Sequence, residues 1–146
     1  MATNEQEILH GLQDDMVLRA ENLVRSLRLS KDQGVVLGKT QASKALEVVQ
    51  SAGSLSVFVN WLRYQAGREG SAEFWTKPTG SRPTLAQALT DELKWLQGQI
   101  AQRMSTASKA DQQRVTMRAA TRFMGYFRRA LIGADHLEQI ALEKGG

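Results

Sequence analysis

Residues 109–134, KADQQRVTMRAATRFMGYFRRALIGA, leave this chain little freedom of fold. Wound as a helix, Ala119, Ala120, Phe123, Met124, Phe127, Ala130, Leu131 and Ala134 fall within roughly 140° of one another. A stripe that broad has to be buried against other elements. Arg114, Arg118, Arg122 and Arg129 run along the other side, with Arg128 on their flank and Gly125 in their midst. The missing side chain at Gly125 offers room for a backbone or a phosphate to come close. Residues 101–134 hold seven Lys/Arg against one acid, Asp111, in a chain whose net charge is only +4. The excess positive charge therefore sits in this one segment.

The remaining segments repeat the helical period. Asn4 caps a first helix, with Glu5 and Glu7 at its positive end. Leu9, Leu12, Met16, Ala20, Leu23, Val24 and Leu27 then form one stripe lasting to about Leu29. Ser30–Gly38 reads as a loop, and Thr40 or Ser43 opens a second, shorter helix that Gly53 interrupts. Ser54 caps a third helix to about Ala66. From Thr84 a fourth presents Leu85, Leu89, Leu93, Leu96 and Ile100 on one face. Ser105–Ser108 is a polar joint before the basic helix, which either breaks at Gly133 or runs on toward Leu142. The terminal Gly145-Gly146 reads as a frayed end. Sustained period-two alternation occurs nowhere, so no strand is predicted. The expectation is an all-α, single-domain bundle of about five helices spanning 1–146, with one long loop at 66–83.

Two stretches are ambiguous. In the third helix Leu55, Phe58, Val59, Leu62 and Ala66 make one apolar face, while Val57, Trp61 and Tyr64 make another nearly opposite. Such a helix either lies at the centre of a bundle or keeps its second face for a partner. The loop AGREGSAEFWTKPTGSRP interleaves Arg68, Lys77 and Arg82 with Phe74 and Trp75. Those aromatics either stack on bases or pin the loop to the core.

Composition excludes several chemistries. At 146 residues with 42% apolar content, the chain is long enough to bury roughly 70% of the surface it exposes when unfolded. The absence of cysteine rules out disulfides and thiolate chemistry and fits a reducing cytoplasm. MATNEQE has no signal-peptide pattern, and apolar runs of four or five residues are too short to span a membrane. Gly34-Val-Val-Leu-Gly38-Lys39-Thr40 imitates a phosphate-binding loop but has only three residues between its glycines, where four are needed. A helix rather than a strand precedes it. His10 and His136 have no second ligand at helical spacing, so no metal site is predicted. Asp14-Asp15 and Asp91-Glu92 diverge by about 100° on a helix and read as solvated. No catalytic constellation and no cofactor site emerge. The arginine stripe is the one positive signal: guanidinium forks suit phosphate oxygens, and an acidic protein surface would satisfy them equally.

Thr40–Arg68, taken with the basic helix, resembles the small helical subunit of type III CRISPR effector complexes. Thr40-Gln-Ala-Ser43-Lys44 stands for the family's Thr-Ser-Gln-like helix start and following basic residue. Leu62-Arg63-Tyr64-Gln65-Ala66-Gly67-Arg68 matches its Leu-Ala-Tyr-x-x-Gly-Arg pattern, with Arg63 in place of the small residue. Arg122-Phe123-Met124-Gly125-Tyr126-Phe127 matches its Arg-Phe-x-x-Tyr-Phe. The chain is most similar to the Csm-complex subunit. The Cmr-complex subunit, with an aromatic-x-Arg-Arg run like Tyr126–Arg129, is second. After Phe127 this chain departs from the family, with Arg128-Arg129-Ala130 and Asp135-His136 where Glu-Ala and Tyr-His-Lys are usual.

The resemblance implies a non-catalytic, cytoplasmic subunit of an antiviral complex. Its copies would stack on one another and on backbone subunits, touch guide and target RNA through basic side chains, and bridge to the large signalling subunit. It makes Thr40, Lys44, Tyr64, Gly67, Arg68 and Arg122 candidates by motif, and Lys39, beside Thr40, joins the candidate cations. Arg114, Arg118, Arg128 and Arg129 are candidates from the helical wheel alone. Val57, Trp61 and Tyr64 are the candidate subunit interface. The competing expectation is a helical adaptor whose basic face binds an acidic protein and never touches nucleic acid.

Overall fold

Four of the long helices begin where a short polar side chain takes the place of a missing backbone acceptor. In the computed structural model, which describes residues 4–27 and 33–142, α1 spans Glu5–Arg25 and opens on Asn4, whose Oδ1 accepts from the Gln6 amide at 2.8 Å. Ser54 does the same for α3 (Leu55–Gly67), Thr84 for α5 (Leu85–Arg103) and Ser108 for α6 (Lys109–Ile132). Between them lie α2 (Gln33–Ser51) and the single turn α4 (Ala72–Trp75). Gly133 ends α6, and a 3-10 turn follows at Ala134–His136. The described residues contain no strand, only one antiparallel bridge between Thr79 and Arg82 across a turn with Gly80 at φ +57°.

The basic helix is the centre of the bundle. α6 packs on α1, α2 and α5, and its core stripe is buried as its spacing requires, with Ala134 partly so. Its neighbours run in opposite directions. Glu5 reaches Arg114 and Arg25 reaches Glu138, so α1 is parallel to α6. Ser43 meets Arg128 and Gly53 meets Gln113, so α2 is antiparallel.

Four points of the sequence reading are corrected or decided. The loop expected at 30–38 is helical from Gln33 onward, and 28–32 lie outside the described residues, as does the Gly145-Gly146 end. The phosphate-loop imitation therefore lies inside α2. Gly38 serves packing there: a Cβ would come within 2.9 Å of Leu131 Cδ2 and 3.0 Å of Phe74 Cε1. The third helix is not the bundle's centre, since Val57 is 55% and Tyr64 62% exposed. Trp61 lies half-buried at the border, 5.9 Å from Phe58 and 6.0 Å from Trp75 between ring centroids. The loop at 66–83 contains α4 and buries both of its aromatics completely, so Phe74 and Trp75 anchor it and offer no ring to a base.

Glu92 is the fourth. It is only 7% exposed, and its carboxylate takes Arg19 Nη1 at 2.8 and 3.3 Å. The same guanidinium lies 3.9 Å from the Trp95 ring centroid. Truncating Arg19 to alanine would leave the buried carboxylate without its partner, at an expected cost of about 1–3 kcal/mol. Urea denaturation should show that loss, and adding Glu92→Leu should recover most of it.

Candidate nucleic-acid interface

α1 and α2 flank α6 without closing over it, so one strip of α6 stays open between them. Arg114, Arg118, Arg122, Gly125 and Arg129 line that strip, and its arginines span about 22 Å at 1.5 Å per residue. The sequence-predicted cations fall into two groups along the antiparallel α2–α6 pair. Arg114, Arg118 and Arg122 lie toward the start of α6. Arg128 and Arg129 lie toward its end, near Lys39 and Lys44 on α2. Arg68 is not part of either group: it is exposed at the end of α3, which packs on α4 and α5.

The stripe is not free of acids, as its own sequence suggested. Glu5 crosses from the first turn of α1 and gives one carboxylate oxygen to Arg114 Nη1 at 2.6 Å and the other to Arg118. Asp111 also lies 3.5 Å from Arg114. Glu5 and Asp111 together balance Arg114 and Arg118, so the surplus positive charge of the stripe lies with Arg122, Arg128 and Arg129. Arg128 is held differently, with its Nε donating to Ser43 Oγ at 2.8 Å. Arg129 lies 5.9 Å from the Tyr126 ring centroid. Arg122 has no hydrogen bond or ion pair among the described residues. At Gly125 nothing lies within 4 Å of where a Cβ would be, so no backbone uses the space it leaves.

Arg118 and Arg122 line a cleft of about 310 Å³ with Thr121 and Met117 of α6, Leu9 of α1, and Val49 and Gln50 of α2. Its lining mixes apolar Leu9, Val49 and Met117 with polar Gln50 and Thr121, and its charged members are both cationic. Sequence reasoning found the arginines and missed the rest. Glu5 reads locally as a helix-dipole residue, and its second role depends on a contact 109 residues away. Leu9 and Val49 belong to ordinary core stripes, with nothing local to mark them as cleft walls.

Val57 and Tyr64 stay open to solvent on α3, away from the arginine cleft, whereas Trp61 is engaged by the core. His10 and His136 are both exposed. Among the described residues no group of three or more His, Asp or Glu is placed to hold a metal ion, and no helix is long and apolar enough to cross a membrane. No protein-family model, curated protein or solved structure matches the chain.

Proposed function

We infer that this chain is a non-catalytic small subunit of a type III CRISPR effector complex, contacting the guide–target RNA through the open face of α6. The observation that carries the reading is the cleft in which Arg118 and Arg122 stand over Leu9, Val49 and Met117. Guanidiniums at such a rim hold phosphate oxygens by charge-assisted bonds. The three sequence motifs of the resemblance supply the family. Two of their side chains, Tyr64 and Arg68, are exposed and available to neighbouring subunits. Its partners are then the backbone and large signalling subunits and further copies of itself. A tagged chain isolated from its native cells should carry these subunits together with guide RNA.

A second reading has its own observation. Glu5 demonstrates that Arg114 and Arg118 accept a carboxylate, so an acidic protein could satisfy the same pair. Isolation of the tagged chain with an acidic protein and no RNA would decide for this adaptor. Glu5 also makes a quantitative prediction for the RNA reading, because it occupies two groups that a phosphate would need. Glu5→Gln should free about one contact's worth of charge. Single-stranded RNA would then bind about four-fold tighter at 0.15 M salt, as read by fluorescence anisotropy. Unchanged or weaker binding would remove Glu5 as an internal competitor.

A further inference from the structure

A larger cleft, of about 530 Å³, lies between the start of α3, the second half of α5 and the first turns of α6. Of its lining residues only Met117 also lines the arginine cleft. Its charged residues are Lys94 and Lys109, no Asp or Glu lines it, and neither lysine has an ion pair among the described residues. Ser54 Oγ accepts from the Val57 amide, which leaves the Leu55 and Ser56 amides of the first turn without an intrahelical acceptor. The positive end of α3 thus borders the same space as two ammonium groups.

Three further observations say that this space is built. Gln113 Nε2 donates to Gly53 O at 2.9 Å, and Gln112 Nε2 to Met104 O at 2.8 Å, fixing α6 to the elements on either side. Thr116 lines the cleft while only 3% exposed, and its side chain has no hydrogen-bond partner among the described residues. Its hydroxyl is not sealed off: the little surface that Thr116 keeps lies on this cleft, whose volume is of ligand size. Gly98 of α5 keeps the cleft open: a Cβ there would meet nothing within 4 Å.

We propose that this cleft binds a phosphate-bearing small molecule. Lys94, Lys109 and the first-turn amides of α3 hold the phosphate, and Thr116 donates to an oxygen of the ligand. The volume beyond the phosphate holds its organic part. The site is independent of the arginine stripe, so neither proposal depends on the other.

Calorimetric titration of the full chain with inorganic phosphate and with adenosine monophosphate, at constant ionic strength, tests this. Saturable binding is expected, tighter for the nucleotide if the organic part is held, and equal if the oxyanion alone is recognised. Lys94→Gln with Lys109→Gln should weaken it about ten-fold or more. Gly98→Leu fills the cleft and favours the helix, so it should abolish binding without lowering the melting temperature. Thr116→Val should weaken binding with the fold intact. Absence of binding overturns the proposal. So does binding that survives Gly98→Leu and is lost in Arg118→Ala/Arg122→Ala, which would place the anion in the arginine cleft.

Discussion

Trp75→Ala is expected to cost this protein about 3–5 kcal/mol, a large share of the 5–15 kcal/mol by which domains of this kind are stable. The indole is fully buried and meets Phe74 edge-on at 4.9 Å and Trp61 at 6.0 Å. Its Nε1 donates to Gln41 Oε1 at 3.1 Å, and Gln41 is itself buried. Truncation therefore opens a cavity beneath the 66–83 segment and also leaves a buried carbonyl unpaired, which puts the cost toward the upper end. Trp75→Phe should lose the hydrogen bond while keeping most of the packing, and fall between the two. Trp61→Ala should cost less than Trp75→Ala, because Trp61 is already partly exposed whereas Trp75 is fully buried. Denaturant midpoints for the three variants check the order. A loss below about 1 kcal/mol for Trp75→Ala would mean that the segment is not pinned through this ring.

That anchor shows where sequence reasoning about this chain stops. Helix starts at Asn4, Ser54 and Thr84 are legible because the capping residue and the apolar period sit within one turn. The core stripe of α6 is legible for the same reason. Gly34 and Gly38 misled because glycine normally marks a break in a helical pattern, whereas Gly38 is dictated by two side chains, Leu131 and Phe74, remote in sequence. Glu92 looked solvated beside Asp91, because nothing local announces Arg19, which is 73 residues away. The candidate site divides along the same line. Its cations share one helix face and could be read. Its acid, Glu5, and its apolar walls, Leu9 and Val49, come from other helices and were invisible to local periodicity.

Loss of both Arg118 and Arg122 is the substitution with the largest expected effect on RNA. Each phosphate contact to single-stranded RNA contributes about 0.7 to the slope of log K against log salt. Arg118→Ala/Arg122→Ala should therefore flatten that slope by about 1.4 and weaken binding about fourteen-fold at 0.15 M salt. Different RNA sequences should weaken alike, since phosphate contacts position a protein without specifying a sequence. Arg122→Ala alone should account for at least half of the loss, because Arg122 has no internal partner, whereas Arg118 already shares Glu5 with Arg114. The fold should hold: the Arg118 side chain is 56% exposed and its ion pair lies at the surface, where such pairs contribute little. The melting temperature and the salt series on the same preparations make the test. An intact fold with unchanged RNA affinity, and with lost binding to an acidic partner, would assign the open face of α6 to protein and leave the adaptor reading in possession of the stripe.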